Sequence, residues 1–430
     1  MSTNVIQLPR PPARRPSAPA FGFYVHAGFN GHVALLDLLG SGEKAIFGVV
    51  IDAQDLDRHR ELITEARRHD LDVILDPKVL QMGFPGGVTE RLSVLPWGLD
   101  RPHTVADFDG SAGQRRAVQM AETAISHGCT QLLGPTHFLN SANDPWLRRD
   151  IAMMNRVAEE IARNDSEIEL IYPLTVPMTL WRDAAERRAI RAAISDVGCA
   201  AIWLKVENFG DDATGEKAAA YIEGCRDLHS LGVPLVSDNV GGLPGLGVLA
   251  LGAVGGIAHG VTVQQNFRTG SWRRPPAEGR RFGLSWRVYV APLDALLKQG
   301  TAQTLFAASP RIKALCGCRD TRCCPHGVPD MVGHPARHAI YQRIRELERL
   351  VAVPQSQRAT DYLDQNVRKV SDNVAQVAAF PVGDDALAKR LRDKQRQTSL
   401  FRQSMARFVE HDQTPSVALV PSRRPARDGS

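Results

Sequence analysis

Eight short apolar runs, each followed by a segment with helical periodicity, constrain the fold of this chain more than any other feature. β-Branched apolar runs are typical of buried parallel strands, and apolar residues spaced three and four apart indicate amphipathic crossover helices. Eight strands alternating with helices predict a (β/α)8 TIM barrel, and a doubly wound open sheet is the alternative with a similar rhythm. The runs are FGFYVHAG, KAIFGVVIDA, LDVILDPK, CTQLLGPTHF, IELIYPLTV, CAAIWLKVEN, VPLVSDNVGG and GGIAHGV.

Polar side chains follow the carboxyl ends of these runs. In a barrel all strand ends meet at one mouth, which is where active sites are built. Asp before a helix is also an ordinary N-cap, so any one of these residues is as readily explained by structure as by function. Eight polar ends facing one cavity favour a functional site. The candidates are His26, Asp52, Asp76, His137, Tyr172, Lys205, Glu207, Asp238, Asn239 and His259.

Two aspartates stand out among the candidates. Asp76 ends the run in VILDPK, and Asp238 ends the run in PLVSDNVGG. Strands three and seven lie on opposite sides of a barrel, so the two carboxylates are expected to face each other across a substrate. Cleavage of a glycosidic bond uses such a pair, in which one group attacks or stabilises the oxocarbenium-like centre and the other handles the proton.

These roles can be assigned along the sequence. Asp238 is predicted to be the nucleophile or stabilising carboxylate, and Asp76 its acid/base partner. The remaining polar ends are predicted to bind or orient the substrate, and they are His26, Asp52, Lys205, Glu207, Asn239 and His259.

Four of the seven cysteines lie in the stretch LCGCRDTRCCPHG. Cys-x-Cys followed by Cys-Cys, with histidines downstream, is the composition of a zinc site with thiolate and imidazole ligands. The predicted ligands are Cys316, Cys318, one of Cys323 and Cys324, and His338. Four protein ligands close the coordination shell, so the zinc would be structural and would staple a small module over residues 311–352.

A basic segment between the last strand and this module suits a nucleic acid. Arginines with interleaved aromatic rings can contact phosphates and stack on bases, although a solvated basic loop is an equally good interpretation. The segment covers residues 266–281 and contains Phe267 and Trp272. Its arginines are Arg268, Arg273, Arg274, Arg280 and Arg281.

Composition and charge set the remaining expectations. The formal charge of +5 over 430 residues is too mild to imply a nucleic-acid partner by itself. No apolar segment long enough for a membrane span or a signal peptide occurs, so a cytoplasmic location without membrane attachment is expected. Residues 1–20 and 413–430 are interpreted as disordered basic arms, 21–310 as the barrel, and 353–412 as helices with charged faces that solvent or a second copy in a homodimer would cover.

The layout resembles the tRNA-guanine transglycosylase family, whose members exchange guanine for a 7-deazaguanine base in nucleic acid. The resemblance runs from about residue 21 to 350 and rests on a barrel followed by a zinc subdomain with Cys-x-Cys, a third Cys and a later His. ILDPKVLQMGFPGG is similar to the segment of the family's first aspartate, and WLKVENFG and VPLVSDNVGGLPGLGVLALGAVGGIAHG resemble its later strands.

The sequence departs from the family at one position that bears on the chemistry. The family's nucleophilic Asp sits on the final strand, where this chain has GGIAHGV and only His259 nearby. The resemblance therefore implies a transglycosylase-like enzyme in which Asp238, on the preceding strand, takes over. Two alternatives remain: a barrel enzyme acting on a small metabolite, with a Schiff-base role for Lys205, and a non-catalytic nucleic-acid-binding relative.

Overall fold

A closed barrel of eight parallel strands forms the centre of the protein. The computed structural model describes residues 20–43, 45–275, 286–412 and 416–422. Neighbouring strands pair in chain order and the last strand pairs with the first, which confirms the predicted TIM barrel and excludes the open sheet. The strands are β1 Gly22–His26, β2 Gly48–Asp52, β3 Asp72–Asp76, β4 Gln131–Leu133, β5 Glu169–Pro177, β6 Ala201–Glu207, β7 Leu235–Asp238 and β8 Gly256–Gly260.

Side chains along the strands alternate between the barrel interior and the helix layer. A compact apolar cluster fills the interior and contains one residue or more from every strand: Tyr24, Val50, Ile74, Leu133, Ile171, Ala201, Trp203, Val236 and Ala258, together with Phe47. A second, larger core lies between strands and helices. Because the side-chain period of a strand is two, the residue two positions beyond each interior residue points into the mouth.

Amphipathic helices surround the barrel because their apolar faces bury against the outward side chains of the strands. The helices of the barrel region are α1 His32–Gly40, α2 Arg60–Arg68, α3 Val79–Met82, α4 Glu90–Ser93, α5 Gly110–Ser126, α6 Pro145–Arg163, α7 Met178–Arg182, α8 Ala184–Ile194, α9 Gly215–Leu228 and α10 Gly242–Ala250.

The chain after the barrel forms a cysteine-containing module and a set of C-terminal helices. An antiparallel hairpin, β9 Arg287–Val290 with β10 Ala295–Lys298, leads into this region. Its helices are α11 Gln299–Ala308, α12 Pro310–Cys316, α13 Val328–Gly333, α14 Pro335–Ala352, α15 Arg358–Asp361, α16 Lys369–Ala378 and α17 Asp385–His411, with a π-helix over Tyr362–Arg368. Across the described ranges, no helix is both long and apolar enough to cross a membrane.

Part of the segment expected to be a disordered tail lies against the barrel. In residues 416–422 the backbone N–H of Ala418 donates to the carbonyl of Gly252 at 2.9 Å, and the Ala418 side chain is buried. Pro421 lies beside Gly22, where an added Cβ would be 3.1 Å from the proline ring. The expectation of disorder is therefore wrong for these residues. The proposed arm over 1–19 and the rest of the tail lie outside the described residues.

Candidate active site

Asp238 is the most deeply buried charged group at the barrel mouth. It ends β7 with no exposed surface, and its Oδ1 accepts a hydrogen bond from Nε2 of His26 at 2.7 Å. Its Oδ2 lies 3.1 Å from Nζ of Lys205. Burial alone would raise the pKa of Asp238, but Lys205 and His26 outweigh burial and lower it to about 2. Asp238 is therefore ionised at neutral pH.

Two further carboxylates lie next to His26, at the ends of β2 and β3. Asp52 and Asp76 are adjacent across the two strands, and the ammonium of Lys78 lies 3.3 Å from Asp52 Oδ1 and 3.6 Å from Asp76 Oδ2. The backbone N–H of Lys78 donates to Asp76 Oδ1 at 2.8 Å. Burial would raise the pKa of Asp76, whereas Lys78 and Lys205 lower it below its usual value.

Lys78 holds this arrangement in a left-handed backbone conformation. Its φ of 60° is uncommon for a residue other than glycine, and such strain occurs most often at functional sites. The sequence interpretation missed Lys78. The signal was present in ILDPK, where a lysine follows a strand-end aspartate by two residues.

His26 connects the two halves of the mouth. One of its ring nitrogens lies within 4.8 Å of carboxylate oxygens of Asp52 and Asp76, while Nε2 contacts Asp238. Three oxygen and nitrogen ligands at this spacing could hold a cation, and the Lys78 ammonium already supplies positive charge beside both carboxylates. The mouth thus combines two buried carboxylates, Asp76 and Asp238, and the partly buried Asp52 with two ammonium groups around one imidazole.

Glu207 is occupied by the segment that follows β8. Its Oε1 accepts hydrogen bonds from the backbone N–H of Thr269, at 3.2 Å, and from the Thr269 hydroxyl. Arg273 reaches Glu207 Oε2 at 3.3 Å. Glu207 therefore fastens residues 266–275 to the rim of the mouth, and no sequence pattern identifies Thr269 as its partner.

Two of the predicted substrate-binding residues do not point into the mouth. His259 follows the interior residue Ala258, so its ring faces the helix layer, 5.3 Å from the ring of Phe23. Burial and the nearby Arg343 lower its pKa to about 3. Asn239, with φ of 62°, donates from its side chain to the carbonyl of Gln264 at 3.0 Å and links the loops after β7 and β8.

Two further strand-end candidates lie outside this cluster. His137 contacts Asp150 at 2.8 Å through Nδ1 and stacks on Trp146 with ring centroids 3.5 Å apart. Tyr172 belongs to the core between strands and helices. Both residues are therefore best explained by packing.

The basic segment forms one side of the rim. Phe267 and Trp272 pack with Phe84 and Phe138 into a small aromatic cluster. The Arg273 guanidinium lies 5.5 Å from the Phe84 ring centroid and 5.2 Å from that of Phe138.

The arginines of the segment differ in what they contact. Arg268 pairs with Asp212 at the surface, Arg273 pairs with Glu207, and Arg274 is exposed. Arg280 and Arg281 lie outside the described residues. The three described arginines are all exposed, and Arg268 and Arg273 already have acidic partners.

A second cluster of chemistry-bearing residues lies in the module after the barrel. Ligand atoms of Cys318, Cys323, Cys324 and His338 all lie within 4.8 Å of one another. The Sγ atoms of Cys323 and Cys324 are 3.7 Å apart, and they lie 3.3 and 3.4 Å from His338 Nδ1. A tetrahedral zinc with bonds of about 2.3 Å to sulfur and about 2.0 Å to nitrogen requires spacings of about 3.8 Å between two sulfur atoms and about 3.5 Å between sulfur and nitrogen.

Groups around this cluster orient its members. His338 Nε2 lies 2.9 Å from the carbonyl of Tyr289. Because a carbonyl only accepts, Nε2 carries the proton and Nδ1 presents its lone pair to the thiols, the usual arrangement behind a metal ligand. Gln342 donates to Cys318 Sγ at 3.5 Å.

Cys316 is not part of the cluster, which corrects the ligand set expected from the sequence. It is the last residue of α12 and is buried, and burial raises the pKa of its thiol to about 12. The three thiols and one imidazole that could hold a metal instead include both Cys323 and Cys324. The turn after Asp320 explains this, since the backbone N–H groups of Cys323 and Cys324 both donate to its carbonyl.

No family model and no curated protein matches this chain. Solved structures with a similar fold include methylaspartate ammonia lyase from Citrobacter amalonaticus, at 11% identity and a TM-score of 0.33, covering 56% of this chain and 54% of the lyase. A second is a GH10 xylanase from a Bispora species, at 9% identity and a TM-score of 0.37, covering 55% of this chain and 82% of the xylanase. A third is the carboxyl transferase domain of Rhizobium etli pyruvate carboxylase, at 12% identity and a TM-score of 0.37, covering 87% of this chain and 61% of that protein. The chain thus spans about half the length of the lyase, and these similarities carry no information about substrate or reaction.

Proposed function

We propose that this protein is a transglycosylase-like enzyme that cleaves or exchanges a purine-type or 7-deazaguanine base on a nucleic acid at the barrel mouth. One observation carries the proposal: Asp238 is a fully buried carboxylate that Lys205 and His26 keep ionised. A fixed negative charge in a site of low dielectric stabilises the positive charge that develops on the sugar when a glycosidic bond breaks.

The neighbouring residues His26 and Asp76 have separate roles in proton transfer. The bond between sugar and base breaks with its electron pair on the base, so the leaving base needs a proton or a hydrogen bond. His26, between Asp238 and the carboxylates of Asp52 and Asp76, is the group best located to supply it. Asp76 is ionised at the start of the reaction, so it accepts a hydrogen bond or proton from a base N–H and does not act first as an acid.

Support for a nucleic-acid substrate comes from the rim. The aromatic cluster of Phe84, Phe138, Phe267 and Trp272 lies beside the exposed Arg268 and Arg274. Aromatic faces with adjacent cations suit stacking of bases and contact with phosphates. Arg268 and Arg273 contribute less directly than Arg274, since Asp212 and Glu207 offset their charges.

We also propose that Cys318, Cys323, Cys324 and His338 hold a structural zinc ion. The spacing of the sulfur and nitrogen atoms supports this assignment, as does the hydrogen bond that leaves His338 Nδ1 free to bind. Four protein ligands leave no open position, so the metal would stabilise the module and take no part in base exchange.

The test is incorporation of radiolabelled guanine or a 7-deazaguanine base into tRNA and DNA by the purified protein. We expect label in one polymer, and a loss of at least about a hundredfold for Asp238→Asn. Asp393→Asn, at an exposed position of α17, is the matched control. Absence of label in both polymers with folded wild-type protein would refute the proposal. Trapping of Lys205 by borohydride with a carbonyl compound would then support the small-metabolite alternative.

A further inference from the structure

A cavity of about 440 Å³ lies between the cysteine-containing module, the β9–β10 hairpin and the C-terminal helices. This volume is in the range of small-molecule sites, about 300–1,000 Å³. Its wall includes Leu243 and Leu246 of α10, and its polar lining includes Tyr289, Asp294, Gln342, Glu346, Arg349 and Lys369. The cavity is separate from the barrel mouth, and its function does not depend on the reaction there.

The inner wall consists of hydrogen-bonded and ion-paired polar groups. The Tyr289 hydroxyl donates to Glu346 Oε1 at 2.9 Å and lies 3.3 Å from Asp294 Oδ1. Arg343 neutralises Glu346 at 2.6 Å, and Lys394 lies 3.7 Å from Asp294. Each acid therefore has a cation of its own, so the inner wall is rigid and close to neutral.

The acidic side chain of Asp320 at the opening of the cavity also has partners within the protein. Asp320 lines the cavity, but its Oδ1 accepts a hydrogen bond from the backbone N–H of Arg322 at 2.9 Å and lies 3.7 Å from the Arg322 guanidinium. The acids that line the cavity are thus all used within the protein.

Two cations at the opening have no such partner. Arg349 near the end of α14 and Lys369 at the start of α16 line the cavity, and neither forms a hydrogen bond or an ion pair with any part of the chain that the structure describes. Gln365 and Asn366 belong to the π-helix, a form that is frequent at functional sites, and their side-chain amides also lack partners within the described ranges.

We propose that this cavity binds a small organic anion. A phosphate or carboxylate group would lie between Arg349 and Lys369, and the amides of Gln365 and Asn366 would hydrogen-bond to its polar body. The apolar side chains of Leu243 and Leu246 would cover its less polar face. Unpaired cations beside an otherwise neutral cavity attract an anion, because a charge-assisted contact there displaces no existing ion pair.

Isothermal titration calorimetry of the full chain with inorganic phosphate, ribose 5-phosphate, GMP and citrate tests the proposal. We expect one of these probes to bind the wild type with one site per chain. Comparison of the phosphate compounds with citrate shows whether the cavity prefers a phosphate or a carboxylate. The variant Arg349→Gln/Lys369→Gln should bind the probe at least about tenfold more weakly, which is a loss of about 1.4 kcal/mol in binding free energy. Both side chains are exposed, so the variant is expected to fold.

Arg368→Gln is the matched control, since this neighbouring arginine pairs with Asp364 and does not line the cavity. It should bind the probe as the wild type does. The proposal is overturned if none of the four probes binds folded wild-type protein, or if the double variant binds as tightly as the wild type and the control.

Discussion

Individual residues at the barrel mouth carry charge because neighbouring cations offset the cost of burial. Asp238 is the clearest case, with its pKa near 2 although it is entirely buried. Its usual value, 3.8, applies in the unfolded chain. Since the folded-state pKa is the lower one, ionised Asp238 stabilises the fold above about pH 4, and this contribution is lost as pH falls towards 2.

Asp238→Asn should therefore alter the pH dependence of stability. At pH 5 we expect the variant to be less stable than the wild type by about 3–5 kcal/mol, because Lys205 loses its buried partner. Between pH 5 and pH 3 this difference should shrink by about 1 kcal/mol. Urea unfolding followed by circular dichroism at both pH values measures it. A difference that does not change with pH would contradict the assigned charge state.

The period of a strand explains which of these residues sequence could identify. His26, Asp52, Asp76, Lys205 and Asp238 all follow an interior apolar residue by two positions, so they enter the mouth together. His259 is displaced from this pattern by one position, so its side chain faces the opposite side of the strand. In a short Gly-rich run the sequence alone does not show which residues face the barrel interior. Contacts such as Lys78 with Asp52 join residues that are distant in sequence, and no local pattern encodes them.

At the scale of elements, the cysteine module depends on one turn and one helix. In the turn after Asp320 the backbone N–H groups of Cys323 and Cys324 both donate to the Asp320 carbonyl, and His338 lies on α14. The sequence pattern predicted a site of thiols and one imidazole, and Cys318, Cys323, Cys324 and His338 lie close enough together to hold a metal. It could not distinguish Cys316 from its neighbours, because the end of α12 at that residue sets the direction of its side chain.

Two single serine substitutions should distinguish a cysteine that binds the proposed zinc from a buried cysteine that does not. Cys318→Ser should lose most of the bound zinc and lower the melting temperature, since a structural metal supplies folding free energy. Cys316→Ser should keep a ratio of about one zinc per chain, as expected for a single closed site. Mass spectrometry of metal content on protein purified without chelator gives the ratio. Equal zinc loss in both variants would contradict the assignment.

The rim segment over 266–275 also depends on close backbone approach. Gly86 donates its N–H to the Trp272 carbonyl at 2.6 Å, and an added Cβ would lie 1.8 Å from the Arg274 carbonyl oxygen. Gly86→Ala should displace the segment and speed amide hydrogen exchange over it. Gly270→Ala, where an added Cβ meets nothing within 4 Å, should leave exchange unchanged. Equal exchange in the two variants would show that the segment is held elsewhere.

At the scale of the whole molecule, the last described residues contact the barrel face that bears the amino ends of the strands. Gly255 precedes β8, and an added Cβ there would lie 2.0 Å from the Leu419 carbonyl oxygen. Composition predicted disorder for this stretch because Pro, Arg and Ser are frequent in it. The apolar run VALV over 417–420 was the overlooked signal, and Ala418 within it is buried.

This contact predicts a measurable contribution to stability. Ala418→Asp would bury an unpaired carboxylate, so we expect a loss of about 1–3 kcal/mol and a lower melting temperature. Leu419→Asp, at a side chain that is 53% exposed, should have little effect. Differential scanning calorimetry of both variants gives the comparison. Equal melting temperatures for Ala418→Asp and wild type would mean that the contact does not stabilise the fold.

The proximity of Pro421 to Gly22 has a topological consequence. The beginning of the first strand and the end of the described chain lie side by side, on the face away from the mouth. A closed barrel has no privileged first strand, so a short linker joining these two points would turn the protein into a ring that can be reopened at an exposed loop. Such circular permutants would keep every strand pairing and every mouth residue in place while changing only their order along the gene.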